Sequence, residues 1–244
     1  VAARTYTLHK MAQGAIARHP DADACDDITC CKAYETAEDA AAGWGAGALY
    51  YEEKLARAVA ETDGEVIVYD GEPVLAVFFS SAAGHTQGAG EVWQTDLPYL
   101  QSVDSPEGEE TVPNYYSTVS FTAAEAKALL AAAHPELTYS GGPDKWFGKA
   151  ARDESGRVGA VEVCGTPLRG VEVRRIFSLR SACFTIDAQA DGVTFRVTGY
   201  GHGVGMSQYG ANELARQGKT WQEILTWYYA GITIGPVPET VQTS

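Results

Sequence analysis

Between Gly199 and Ala211 the chain reads Gly-Tyr-Gly-His-Gly-Val-Gly-Met-Ser-Gln-Tyr-Gly-Ala. Five glycines in thirteen residues exclude both a strand interior and a free-standing helix, because each glycine costs about 1 kcal/mol relative to alanine in a helix. Such a run persists where backbone must turn sharply or pass close to something else. The residues from Met206 to Gln217 then take up a helical pattern that stops at Gly218. The glycines therefore read as a tight strand-to-helix loop, with the backbone N–H groups of the helix start and His202, Ser207, Gln208 and Tyr209 available as donors to a cleft.

Taken whole, the 244 residues are ordinary for a folded protein, at 45% hydrophobic and 20% charged. The balance is acidic, with 18 Lys and Arg against 32 Asp and Glu, a formal charge of −14. A polyanion is repelled by such a surface, which argues against nucleic acid and against an anionic membrane face. No apolar run approaches the roughly 18 to 20 residues of a membrane span. Val1 is not a translation start and no signal peptide is visible. Leu8, Met11, Ala12, Ala15 and Ile16 form one helical stripe, yet no capping residue precedes Val1, so a natural leading segment is expected to be missing.

The five cysteines have no regular spacing, which argues against a disulfide framework. The first helix is expected to run to His19, where Pro20 stops it, with His19 facing inward. After it come Cys25, Cys30 and Cys31, interspersed with aspartates. His19, Cys25 and Cys31 make the soft nitrogen and sulfur set that zinc prefers. The fourth position is open to Cys30, an aspartate, water or a group outside the chain. Cys164 and Cys183 read as small buried side chains.

Further along, Thr36 with Glu38 and Asp39 opens a short helix and 48–60 forms a second. From Gly64 the period changes to two. Val66 and Val68, then Val74, Ala76 and Phe78, flank an Asp70-Gly71 hairpin turn. The second strand emerges into the small-residue loop Ser80 to Thr86. Ser105 to Pro113 is polar and suited to a linker. Capping boxes at Thr122/Glu125 and Thr220/Glu223 start two helices. Strands are expected over 158–163 and 170–173, and a hairpin turns at Asp191-Gly192. The reading is an α+β fold. A β-hairpin-rich main body carries several helices and a satellite lobe over 117–150, and a groove lies between the hairpin loop and the glycine loop.

Several stretches together resemble the stage II sporulation protein D family of peptidoglycan lytic transglycosylases. They are "GYGHGVGMSQYGA" with "ILTWYYAGITI", "VAARTY" (1–6), "CCKAY" (30–34), 63–86, 91–107 and "LRSACF" (179–184), in one order along nearly the whole chain. The resemblance implies cleavage of peptide-stripped glycan strands with formation of 1,6-anhydromuramic ends during spore engulfment, beside a partner amidase. It also implies a membrane anchor ahead of Val1 and a location between forespore and mother cell. The general acid it implies is a glutamate shortly before Val-Ala-Ala-Arg-Thr-Tyr, outside this chain. Arg4, Tyr6, Ser81, His85, His202, Gln208 and Tyr209 are then the expected groove residues. Zinc is implied at His19, Cys25 and Cys31, since Cys31 matches the family's C-x-A-Y cysteine. Glycosidic cleavage needs a proton donor rather than a Lewis acid, so that zinc is read as structural. The chain departs from the family at Phe79, where histidine is common, and at Ala82-Ala83, where Ser-Gly is common.

Glu91 is the internal carboxylate nearest the hairpin loop, and an exposed loop position accounts for it. Two other readings stay open. A serine hydrolase would use Ser207 with His202 or His85, although the surrounding residues do not form a Gly-x-Ser-x-Gly elbow. A non-catalytic glycan-binding scaffold would need no acid at all.

Overall fold

The computed structural model describes residues 1–14, 19–27, 30–31, 33–153 and 155–239. In chain order its helices are α1 (Ala2–Ala12), α2 (Ala37–Trp44), α3 (Ala48–Glu61), α4 (Ala89–Trp93), α5 (Ala123–Ala133), α6 (Gly170–Ile176), α7 (Gln208–Arg216) and α8 (Trp221–Tyr228). Its strands are β1 (Glu65–Tyr69), β2 (Glu72–Pro73), β3 (Phe78–Phe79), β4 (Tyr116–Thr122), β5 (Phe147–Arg152), β6 (Val158–Val163), β7 (Thr166–Arg169), β8 (Phe184–Ala188), β9 (Gly192–Thr198), β10 (Met206–Ser207) and β11 (Thr233–Pro236). The fold is α+β. No described helix is long and apolar enough to cross a membrane.

The chain divides into two compact units: one of 1–77 with 231–244, the other of 78–230. The segment 117–150, expected as a lobe of its own, belongs to the second unit. There β4 pairs with β9 along seven residues, and Ala126, Leu130 and Trp146 share one core with Phe195.

In the first unit β1 lies between β11 and β2, antiparallel to both. The turn from β1 to β2 is Asp70-Gly71 as expected, both at positive φ (49° and 84°). Helix α1 is shorter than expected. It ends at Ala12, with Gln13 as C-cap and Gly14 in the left-handed region at φ 85°. Its buried residues are Ala2 and Thr5, whereas Met11 is 40% exposed, so the Leu8–Met11 stripe is not the inward face. Thr5 fixes that orientation, its Oγ1 accepting from the buried Ile67 N–H at 2.9 Å. Ala15 and Ile16 lie outside the described residues. Helices α2 and α3 form as read, and the Thr36 hydroxyl caps α2 by accepting from Asp39 N.

The second unit holds the sheets β4-β9-β8 and β5-β6-β7 and the two-stranded pair β10-β3. Its core is aromatic: Phe177 and Phe195 stand 4.6 Å apart between ring centroids, with Phe121, Phe147 and Phe184 around them. Burying each such ring is worth roughly 1.5–3 kcal/mol. Both capping boxes are present as read. Residues 170–173, expected as a strand, begin α6 instead. Cys164 and Gly165 take positive φ and make a two-residue turn that places the strand at Thr166–Arg169. A Cβ on Gly170 would stand 1.9 Å from the Val158 carbonyl oxygen, so only glycine lets the chain turn there into a helix that buries Val173 and Ile176. Cys164 is thus a turn residue whose half-buried side chain packs against the core.

Candidate functional site

The glycine loop and the small-residue loop do meet, in the second unit. They meet edge to edge rather than across a groove. Strand β3 pairs in parallel with β10 (Met206 with Phe78, Ser207 with Phe79), Ser81 exchanges backbone hydrogen bonds with Tyr200 at 3.0 and 2.8 Å, and Gln87 N donates to Gly203 O at 2.7 Å. The glycines are what permit this. At Gly201 (φ 130°) a side chain would put its Cβ 2.5 Å from that of Phe79. The expected trench between the two loops is therefore replaced by a zipped seam, whose shared cavity is only about 20 Å³. Ser81, His85 and His202 line that cavity, which is far below the roughly 300 Å³ at which ligand pockets begin. Gln208 is exposed at the start of α7, and Tyr209 is half-buried with its N–H on Ser80 O.

His202 sits between Phe79 and Trp93, with ring centroids 5.5 and 5.4 Å away. Its Nδ1 accepts from Val204 N at 3.1 Å, and the ring also hydrogen-bonds the Phe78 backbone. Burial, aided by the Arg174 charge, lowers its pKa to about 4, so the imidazole is neutral at pH 7. These contacts set the conformation of the loop. His85 is more open and holds Asp104 at 2.8 Å.

The seam is fastened by a residue the sequence did not mark. Glu107, 4% exposed, accepts at Oε1 from Ala82 N (2.7 Å) and from the Ser207 hydroxyl, so one carboxylate grips both loops. Ser207 is fully buried and also caps α7, accepting from Gly210 N at 3.2 Å. A hydroxyl held in this way cannot attack a substrate, which removes the serine-hydrolase reading. A Cβ at Gly210 would lie 2.1 Å from Tyr228 Oη, 2.3 Å from Ser105 Oγ and 2.5 Å from Glu107 Oε2, which explains the last glycine of the run. In sequence Glu107 lies in Pro-Glu-Gly-Glu-Glu, a stretch that reads as a solvated linker; no periodicity sets it apart.

Arg4 and Tyr6 are in the first unit. Arg4 donates to the carbonyls of Thr62 and Glu65 and anchors α1. Tyr6 Oη donates to Cys31 O at 3.2 Å and lines a cavity of about 440 Å³ with Cys25, Cys31 and Lys10. Burial and the nearby cysteines push the Tyr6 phenol upward. Among the described residues the potential ligand atoms that converge are the sulfurs of Cys25, Cys30 and Cys31, all within 4.8 Å of one another. His19 is exposed and is not in that set. Glu91 is exposed on α4.

A larger pocket of about 560 Å³ opens in the second unit beside Ala83, between Tyr115-Tyr116, the β5–β6 turn and the β8–β9 ladder.

The sequence has known relatives. The family described as "Stage II sporulation protein" matches residues 1–69. Stage II sporulation protein D of Bacillus subtilis (strain 168) is 34% identical over 234 residues, covering 96% of this chain and 66% of the relative. That of Bacillus amyloliquefaciens is 33% identical over the same length and shares. An "Amidase enhancer" of Bacillus subtilis (strain 168) is 26% identical over 227 residues, 73% of this chain and 32% of the relative. The chain belongs to the stage II sporulation protein D family. It spans about two thirds of the length of the family relatives it matches.

Proposed function

We propose that this chain is the greater part of a peptidoglycan lytic transglycosylase acting in the cell envelope during sporulation. The observation that carries this reading is the 34% identity to stage II sporulation protein D across 96% of the chain. A transglycosylase protonates the glycosidic oxygen and then takes the proton of the muramic C6 hydroxyl as it attacks the anomeric carbon; one carboxyl group can serve both steps. Neither Glu91, exposed on α4, nor Glu107, spent on the seam, suits that task. The likeness to an amidase enhancer supports a partnership with an amidase that strips peptides from the strand, and the family supports an anchored, extracytoplasmic location. The full-length protein, given glycan strands freed of peptide, should release fragments with 1,6-anhydromuramic ends, read by mass spectrometry. Binding without new ends would favour the scaffold reading. Neither binding nor cleavage would reject both.

Zinc is proposed as a structural ion of the first unit. Tetrahedral zinc with sulfurs at about 2.3 Å needs them about 3.8 Å apart. Cys30 and Cys31 sulfurs are 4.0 Å apart and the trio lies within 4.8 Å, so Cys25, Cys30 and Cys31 fit the ion with little closure. Bound there, zinc would tie the loop after α1 to a fixed geometry and take no part in cleavage. Elemental analysis should find one zinc per chain, absent from a Cys25→Ser, Cys31→Ser double variant. A metal-free wild type of equal thermal stability would discard it.

A further inference from the structure

The 560 Å³ pocket of the second unit combines features that call for one kind of ligand. Its base is the β8–β9 ladder, where Thr185 pairs with Arg196. Because residues two apart in a strand share a face, Thr198 stands beside Arg196, and Tyr116 is the partner of Thr198 on β4. Tyr116 is 57% exposed, yet its ring is braced edge-on by Tyr115 at 5.0 Å and 70°. A half-exposed, pre-positioned ring of this kind is a stacking platform for the apolar face of a sugar.

The opposite rim is the β5–β6 turn. Asp153 Oδ1 accepts from Ser155 N, Ser155 Oγ and Arg157 N, at 2.7 to 3.0 Å, and Gln87 Nε2 donates to Ser155 Oγ at 2.8 Å. Beside these contacts, at the end of β5, Arg152 spends one N–H on Gly156 O at 2.9 Å. Among the described residues Arg196 pairs with Asp187 at 3.8 Å, beyond hydrogen-bond length, and the Arg196 side chain is 67% exposed. Each guanidinium has five N–H donors, so most remain for a ligand. Among the described residues no carboxylate lines the pocket. In a chain of charge −14, a described lining with two arginines and no carboxylate favours an anion over a cation.

We propose that this pocket binds an acidic saccharide, with Tyr116 under the ring and Arg152 and Arg196 on its carboxylate. This rests on the function proposed above and sharpens it. A muramic residue bears a lactyl ether whose carboxyl is an amide while the peptide is attached and a free carboxylate once the peptide is gone. Guanidinium groups gain charge-assisted, potentially bidentate bonds only from the second form. The pocket therefore selects stripped strands by charge.

Isothermal titration of the protein with three ligands tests this: peptide-free glycan oligomers, the same oligomers with their carboxyls converted to methyl esters, and chitooligosaccharide of equal length. The free acid should bind roughly tenfold tighter than either neutral ligand, a difference of about 1.4 kcal/mol. That preference should shrink at 0.5 M salt and vanish in Arg152→Gln, Arg196→Gln, whose exposed positions leave folding intact by circular dichroism. Equal affinity for acid and ester would overturn the charge readout while leaving the glycan reading standing. So would a preference that survives in the double variant. No binding of any oligomer would overturn the glycan reading and this inference together.

Discussion

Glu107→Leu is expected to destabilise the second unit by about 3 kcal/mol, because it leaves the Ala82 N–H buried without an acceptor and takes from the Ser207 hydroxyl its carboxylate. The leucine methyls would also face Tyr228 Oη and Ser105 Oγ, which hydrogen-bond one another at 2.7 Å beside the carboxylate. Glu107→Gln separates charge from hydrogen bonding. The amide oxygen can keep the acceptor role of Oε1, and its NH2 can offer donors at the Oε2 position, which has no partner among the described residues; burial first, and the Glu107 charge after it, lift the pKa of Tyr228 and Tyr115. Its cost should stay under about 1 kcal/mol. Urea unfolding of the two variants reads the contrast directly. If leucine and glutamine cost the same, the carboxylate is not what closes the seam.

The second large effect is a dependence on pH. His202 takes its proton near pH 4 in the folded chain and near 6.5 when unfolded. As pH falls below 6.5 the unfolded chain gains a proton that the folded chain refuses, so stability is lost between pH 6.5 and pH 4 and levels off below. At 1.36 kcal/mol per unit, the full loss from this residue is up to about 3 kcal/mol. His202→Gln abolishes the titration, at some cost in packing against Phe79 and Trp93. The quantity to compare is therefore the slope of unfolding free energy against pH, which should be shallower in the variant over that window. Parallel slopes would mean that His202 is hydrated and titrates normally.

Much of the local architecture was legible because its causes are local. Thr122 with Glu125 and Thr220 with Glu223 carry their partners within one helical turn, and Asp70-Gly71 contains its own turn chemistry. Residues 170–173 were misread because β-branched spacing resembles a strand until the Val158 carbonyl is known to press on Gly170. At the site, the glycine run correctly announced a close approach of backbone. It could not say that the approaching group is Phe79, or that the two loops join and leave no trench. Glu107 was invisible for the same reason: its partners lie 25 and 100 residues away in sequence. The histidine in the run, read as a groove residue, packs between Phe79 and Trp93 and accepts from Val204 N. The cysteine spacing left the part of Cys30 open, whereas the folded chain brings its sulfur together with those of Cys25 and Cys31 and leaves His19 out of the set.

The pairing of β11 with β1, Thr233 to Val68 and Pro236 to Glu65, has a consequence for biosynthesis. A ribosome emits β1 early, then all of 78–230, before the strand that completes the three-stranded sheet emerges. The inserted unit has all its own pairings within a continuous stretch and can fold on the way out. The strand Glu65–Tyr69, rich in β-branched side chains, must meanwhile wait with one edge uncovered, the condition under which nascent strands pair with the wrong neighbour.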